Sequence, residues 1–162
     1  MTTLTPRLDD DTAAFIQQFV SINVATRNQE NRPAISRAAG CRFTADGHQL
    51  SIFLTSLHNQ HLLENIHANR MLAVVFSRPS THQTIQLKGS DARILAVSAE
   101  DRPAIAAYRQ SFMQEISRLG YPPAFCEAVI PPLDEHYVAI RFTPERAYSQ
   151  TPGPRAGQKI AI

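Results

Sequence analysis

The sequence lacks the features that mark membrane proteins and nucleic-acid-binding proteins. No run approaches the roughly 20 apolar residues that a membrane-spanning helix needs. Three aspartates at 9–11 stand where a signal peptide would have its apolar core. The formal net charge is only +2 over 162 residues, and the basic residues are scattered rather than clustered. We therefore expect a cytoplasmic protein that binds neither membranes nor nucleic acid.

Cysteine is also scarce. Cys41 and Cys126 stand in unlike contexts without CxxC spacing, which suits a reducing compartment and gives no sign of a metal site. We interpret both as buried small apolar residues. His58, His61 and Glu64 share roughly one face of a predicted helix, but three ligands on one short helix rarely converge on one ion. No metal site is predicted.

The sequence has no motif for a self-contained protein catalyst. It lacks paired carboxylates, a glycine-rich phosphate loop and a nucleophile motif, so no catalytic residue is assigned. Any chemistry should then belong to a cofactor. With 162 residues, of which 43% are apolar, the chain should form one domain over residues 1–162.

The apolar pattern predicts a mainly β chain with flanking helices, an α+β protein. Six strands are expected, over 21–27, 33–43, 50–55, 71–76, 84–97 and 137–143. The run 71–76 is apolar on both faces, as in a strand packed from two sides. Within 84–97 the apolar alternation changes phase at Gly89, which predicts a bend of the kind that turns corners in small barrels.

Four helices should flank these strands. The first is short and capped by Asp10 or Asp11, and the second covers 58–68. The third begins at a capping box formed by Ser98 and Asp101 and carries an apolar stripe that ends at Leu119. The fourth covers 124–129.

The predicted strand 33–43 has the first signs of a binding site. Its even positions are nearly all small, which leaves a strip where a flat ring could lie; they are Ala34, Ser36, Ala38 and Gly40. Arg37 and Arg42 would face one site if the strand bulged at Gly40, and two guanidinium groups there would suit a phosphate. The alternative is that both arginines are ordinary surface residues.

A second group of polar residues stands where the strand 50–55 runs into a helix. Free N–H groups and the helix dipole make such a junction a ready anion site. Neutral hydrogen-bonding side chains surround it, at Thr55, Ser56, Asn59 and Gln60. The alternative is plain capping of the helix by Ser56 or Asn59.

Taken in order, these segments resemble the FMN-binding split barrels related to pyridoxamine 5′-phosphate oxidase. The resemblance covers roughly residues 10–157. It rests on Arg-Pro-Ala-Ile-Ser-Arg at 32–37, on the block 55–76, on Thr-Ile-Gln-Leu-Lys-Gly at 84–89 and on Gln-Thr-Pro-Gly-Pro at 150–154. It implies a six-stranded split β-barrel of the FMN-binding type. It also implies a homodimer, with FMN in a cleft where the two barrels meet.

The resemblance also implies roles for individual residues. The two arginines of 33–43 match positions that bind the FMN phosphate or ring edge, and the polar residues of 55–60 match positions beside the phosphate. Thr84 or Gln86 matches a polar position that reaches the flavin ring from either chain of the dimer. With Ser36 of the small strip, the predicted cofactor site comprises Ser36, Arg37, Arg42, Thr55, Ser56, Asn59, Gln60, Thr84 and Gln86.

Three functions remain open from the sequence. The first is an FMN-dependent oxidoreductase that acts on an unidentified small substrate. The second is a non-catalytic protein that binds flavin, haem or a deazaflavin, as relatives of this barrel do. The third is a cofactor-free dimer; the argument for it is that Gln-His-Leu at 60–62 stands where the oxidases carry Ser-Arg-Lys. The first is the leading hypothesis.

The C-terminal segment argues against a true pyridoxamine 5′-phosphate oxidase. Those oxidases bind the substrate phosphate partly through an Arg- and His-bearing C-terminal segment. Here residues 150–162 contain only Arg155 and Lys159 as basic residues, with no Arg-x-His pattern. A buried phosphate without cationic partners is costly, so we expect a different, less charged substrate.

Overall fold

Two antiparallel sheets share one core in the computed structural model, which describes residues 7–162. The strands are β1 Ser21–Arg27, β2 Pro33–Arg37, β3 Cys41–Phe43, β4 Leu50–Thr55, β5 Leu72–Ser77, β6 Thr84–Gly89, β7 Arg93–Ala96, β8 Tyr137–Phe142, β9 Arg146–Ser149 and β10 Lys159–Ile160. The large sheet has the order β10-β9-β6-β5-β1-β2, and the small sheet has the order β3-β4-β8-β7.

Two of the six expected strands are divided at corners between the sheets. The chain leaves the large sheet after β2 and enters the small sheet as β3, with Gly40 at φ +128°. The bend expected at Gly89 likewise separates β6 from β7. A Cβ at Gly89 would lie 2.6 Å from the Phe142 ring, so only glycine allows this close packing. The expected count of six was therefore wrong: the described residues form ten strands, including the unforeseen β9 and β10.

Four helices flank the sheets: α1 Asp10–Gln17, α2 Gln60–Asn69, α3 Asp101–Ser117 and α4 Pro123–Val129. The cap of α1 is Asp9, whose carboxylate accepts the Thr12 N–H at 2.8 Å, so the expected cap was one or two residues too late. At α3, the Asp101 carboxylate accepts the Ser98 N–H at 2.8 Å, as expected of a capping box. Leu119 lies beyond the end of α3 and is exposed.

Alternate residues of the large sheet face the core, which also buries both cysteines. Ile22, Val24, Val74, Phe76 and Leu87 have no exposed surface. Burial also raises the pKa of both thiols, which fits the interpretation of Cys41 and Cys126 as buried residues. No helix within residues 7–162 is long and apolar enough to cross a membrane.

The opposite side of the large sheet, here called the outer face, is only partly covered. It consists of Ser21, Asn23, Ala25, Ile35, Arg37, Ala73, Val75, Ser77, Thr84, Gln86, Lys88 and Tyr148. Most of these residues are half-buried, and Ile35 is 68% exposed. Within this one chain, β5 is therefore fully buried on one side only, although its sequence is apolar on both.

Candidate functional site

Strand register places Arg37 and Gln86 in one row across the outer face. Asn23 pairs with Arg37 on one side and with Val75 on the other, and Val75 pairs with Gln86, which pairs with Tyr148. Adjacent strands lie about 4.8 Å apart, so Arg37 and Gln86, three strands apart, are separated by roughly 14 Å. The row thus begins with the charged Arg37 and has the apolar Val75 at its middle. The amide side chains of Asn23 and Gln86 lie on either side of Val75.

Arg37 is held in place without an acidic partner. Its Nη1 donates to Ser21 Oγ at 2.7 Å, and its Cζ lies 5.7 Å from the ring centroid of Phe112 in α3. None of the ion pairs among residues 7–162 includes it. An exposed, positioned guanidinium of this kind can bind an anion at low cost in side-chain entropy.

The junction between β4 and α2 has free backbone donors. Asn59 occupies the N-cap position of α2 but does not cap it, because its amide donates to the Thr55 carbonyl at 2.8 Å. Neither it nor Ser56 provides the side-chain cap that was the alternative for this segment. In the described chain, no acceptor reaches the N–H groups of residues 60–62, and the first turn holds no acidic residue. This helix start is therefore electropositive.

Arg37 adjoins this junction. Arg37 and Thr55 together line a small cavity of about 10 Å³, whose other walls include Ala38 and Ala39. Tyr137 closes it from β8; burial raises the pKa of its phenol to about 12, and its hydroxyl donates to the Pro131 carbonyl at 2.6 Å. Arg37 and the strand end at Thr55 thus line one cavity.

Arg42 is not part of this arrangement. Its Nε and Nη2 donate to Asp101 Oδ1 at 2.9 and 2.7 Å, and Glu100 lies 3.6 Å away. Asp101 begins α3, whereas Phe112, beneath Arg37, lies 11 residues further along the helix, or about 16 Å. Gly40 turns the chain into the other sheet instead of restoring the two arginines to one side. The expected convergence of Arg37 and Arg42 is therefore not found.

The Arg42 pair also sets the ionisation of Asp101. Burial alone would raise the pKa of this carboxyl group, but hydrogen bonds from the Ser98 N–H and from Arg42 more than offset burial. The net result is a pKa below the usual value. Asp101 is therefore an anion at neutral pH and occupies the Arg42 guanidinium.

Ser36, Thr84 and Gln86 take three different positions. Ser36 pairs with Val24 and so lies on the core side of β2, away from Arg37. Thr84 Oγ1 donates to the His82 carbonyl at 3.0 Å and lies 2.8 Å from Ser77 Oγ. The amide of Gln86 contacts that of Gln150 at 3.4 Å. The structure brings Thr84 and Gln86 to the outer face with Arg37, but not Ser36.

Comparison with solved structures gives the fold. HupZ of Group A Streptococcus matches with a TM-score of 0.53 at 15% identity, covering 93% of this chain and 99% of that one. A protein of the pyridoxinephosphate oxidase family from Clostridium acetobutylicum is related to general stress protein 26. It matches with a TM-score of 0.55 at 16% identity, covering 94% of this chain and 92% of that one. A pyridoxamine 5′-phosphate oxidase-related, FMN-binding protein from Nostoc punctiforme matches with 0.53 at 16%, covering 99% of both chains. The chain is a split barrel.

The expected fold class is thus confirmed, while the sequence comparisons add nothing to it. No family model matches the sequence, and no curated protein is similar to it. At such low identities the structural matches establish the fold of the split barrel alone. Its function must be argued from its own residues.

Sequence reasoning missed part of the outer face of the split barrel. Asn23, Val75 and Tyr148 complete the row between and beyond the predicted residues. Lys88 Nζ lies 5.4 Å from the centroid of the Tyr148 ring. The alternation within 21–27 was the available signal, because Asn23 is polar between the buried Ile22 and Val24. Tyr148 gave no such signal, since β9 was not expected.

Proposed function

We propose that this split barrel binds FMN and acts as an FMN-dependent oxidoreductase on an unidentified small substrate. The observation that carries the proposal is the position of Arg37, which has no acidic partner among residues 7–162. It lines one cavity with Thr55, the strand end that leads into α2, whose N–H groups at 60–62 are free. A cation next to free backbone donors is the arrangement that phosphate monoesters require. The match to an FMN-binding protein of the same fold supports this choice of ligand.

The residues present fit FMN, although with fewer donors than expected. Arg37, the Thr55 hydroxyl and the N–H groups of 60–62 would hold the phosphate, while Arg42 is occupied by Asp101. Along the outer face, Val75 offers an apolar floor between the amides of Asn23 and Gln86, which suits a flat ring with a polar edge. When bound, FMN would supply hydride and single-electron transfer.

The first prediction is that the purified protein is yellow or takes up added FMN. The visible spectrum of the protein separates the open alternatives, because flavin, haem, a deazaflavin and no cofactor each have a distinct signature. Isothermal titration with FMN then measures the affinity. Absence of binding across ordinary buffers would contradict the proposal and favour the cofactor-free dimer.

We also propose that two copies form a homodimer through the outer face. Ile35 is 68% exposed there, and Val75 is only half-buried although β5 is apolar on both sides. Covering this face would remove apolar surface from water and would close a cleft over the row. Two-fold dimers are the commonest oligomers.

The second prediction is therefore a species of about twice 18.0 kDa in sedimentation at micromolar concentration. Val75→Arg should convert it to the monomer, because the charge would be buried in the interface. Ala106→Arg adds the same charge on an exposed position of α3 and should leave the dimer intact. A wild-type protein that sediments only as a monomer would exclude the dimer.

The third prediction is that the FMN-loaded protein does not oxidise pyridoxamine 5′-phosphate. Arg155 and Lys159, the two basic residues of the C-terminal segment, are both exposed, so neither is positioned to neutralise a buried substrate phosphate. Production of hydrogen peroxide measures the reaction. Turnover of roughly 1 per second or more would show that this interpretation is wrong.

A further inference from the structure

A second binding site is suggested by a cavity at the edge of the outer face. Its volume is about 270 Å³, just below the usual range of small-molecule sites, so it fits a ligand of few atoms. The small side chains of Ala25 and Ala73 lie at its centre, and three basic residues, Arg27, Lys88 and Arg146, line it as well. None of these residues belongs to the candidate cofactor site.

Strand register explains why the three cations surround this cavity. The two alanines are paired, and Lys88 and Arg146 extend their row across β6 and β9. Arg27 lies two residues beyond Ala25 and therefore on the same side of β1. Because adjacent strands lie about 4.8 Å apart, Arg27 in β1 and Arg146 in β9 are separated by roughly 14 Å across the strands. The two guanidinium groups thus belong to opposite sides of the cavity, with the ammonium group of Lys88 between them.

None of the three cations has an acidic partner. No ion pair among residues 7–162 includes any of them. Arg27 Nη1 donates to the neutral amide oxygen of Asn31 at 2.9 Å, which orients the guanidinium without cancelling its charge. Glu145 precedes Arg146 in sequence, but its carboxylate accepts from the Ser90 hydroxyl instead. The six strands of the large sheet contain no aspartate or glutamate, so the sheet itself offers these cations no counter-charge.

A second copy of the chain would not supply the missing charge through this sheet. In a two-fold interface both copies contribute the same surface, and the strands of this surface carry no carboxylate. Arg27 and Arg146 are exposed and Lys88 is half-buried, so all three groups are accessible to a ligand in the single chain. Covering them in the proposed dimer without an anion would bury unpaired charge, which is costly. An anionic ligand removes that cost.

We propose that this cavity binds a small organic dicarboxylate. Each guanidinium group binds one carboxylate, because its planar pair of donors matches the two carboxylate oxygens, and Lys88 neutralises the charge between them. The alanines contact the carbon chain that joins the two carboxylates. A phosphate suits this cavity less well, because its oxygens surround one atom and need donors that converge on one spot. The binding does not depend on FMN, since the two sites share no residue.

The test is a titration of the ¹⁵N-labelled full chain with succinate at constant ionic strength and without FMN, followed by amide chemical shifts. Saturable shifts are expected to be concentrated at Ala25, Arg27, Ala73, Lys88 and Arg146. Arg27→Gln and Arg146→Gln should each weaken the binding by about 5- to 20-fold, less than the loss of a buried charged hydrogen bond, because both guanidinium groups are exposed. Ala73→Leu should abolish the binding, because the larger side chain fills the cavity without changing its charge.

Matched controls are Arg102→Gln and Ala106→Leu, which make the same kinds of change at exposed positions of α3 and should leave the affinity unaltered. The absence of saturable shifts with succinate at tens of millimolar would overturn the proposal, as would unaltered affinity in all three cavity variants. Acetate and inorganic phosphate are titrated separately; equal affinity for either would also overturn it, because the cavity would then be a general anion site. FMN uptake is measured on the same samples. Succinate binding without FMN uptake would contradict only the proposed function, and FMN uptake without succinate binding would contradict only the dicarboxylate site.

Discussion

Arg37→Ala is expected to weaken FMN binding by about 1.5–3 kcal/mol, or roughly 10- to 150-fold, the usual contribution of a hydrogen bond to a charged group. The side chain is positioned by Ser21 and Phe112 and has no acidic partner among residues 7–162. Its charge is therefore available to a phosphate. Isothermal titration of wild type and variant with FMN measures the difference.

Arg42→Ala provides the informative contrast. Its guanidinium is bound to Asp101, so the loss of this arginine should change the FMN affinity by less than about threefold once the protein is folded, equivalent to under about 0.7 kcal/mol. Arg102→Ala removes an exposed arginine from α3 and serves as the neutral control. Equal affinities for wild type and Arg37→Ala would mean that Arg37 is an ordinary surface residue. A large loss in Arg42→Ala alone would mean that the Asp101 pair opens to bind the ligand.

Much of the fold could be predicted because local patterns and long-range packing agree. The strands 21–27 and 50–55 have the expected bounds, since their apolar residues are followed by polar turns. The corner at Gly89 was visible as a change of alternation, because a strand cannot shift its phase without a bend or an extra residue. These features are properties of neighbouring residues, so the sequence alone carries them.

The corner at Gly40 could not be predicted in the same way. A Cβ at Gly40 would lie 3.1 Å from the Tyr108 Cβ, so the turn depends on a helix that comes much later in the chain. Arg42 and Asp101 are likewise 59 residues apart in sequence. Spacing within 33–43 suggested that the arginines would converge, but tertiary packing divides that strand between two sheets. The short strands β9 and β10 were missed because they flank a segment rich in proline and glycine, 150–157. Each gains strand structure by pairing, β9 with β6 and β10 with β9.

The residues of the candidate site could likewise be predicted from the sequence only in part. Chain order was enough to bring Thr55 and the start of α2 together, because they are adjacent in sequence. Whether Ser36 or Arg37 lies on the outer face depends on the register of β2 against β1, which one residue of shift would reverse. The free N–H groups at 60–62 depend on where the Asn59 amide points, and its contact with the Thr55 carbonyl cannot be derived from the residue type.

Loss of the ion pair between Asp101 and Arg42 is expected to have the largest effect on the stability of the protein. Asp101→Ala should lower the free energy of unfolding by about 3 kcal/mol, the lower end of the range for a broken buried pair, because Arg42 is 25% exposed and regains some hydration. The variant also loses the acceptor of the Ser98 N–H at the start of α3. Urea denaturation at pH 7 measures the change.

The same pair makes a pH-dependent contribution whose sign follows from the lowered pKa of Asp101. Because the carboxyl group has a lower pKa in the folded than in the unfolded state, its stabilisation is complete above the usual value of 3.8 and is lost as the pH falls through the folded value. The difference in unfolding free energy between wild type and Asp101→Asn should thus be constant near neutral pH and should shrink below about pH 3.8.

Glu100→Ala is the matched control for Asp101→Ala. Glu100 lies 3.6 Å from the Arg42 guanidinium but is 82% exposed, so its loss should lower the free energy of unfolding by about 0.5 kcal/mol or less. If Glu100→Ala and Asp101→Ala destabilise the protein equally, burial does not determine the strength of the ion pair with Arg42. The prediction that the Asp101 pair is the stronger one would then be wrong.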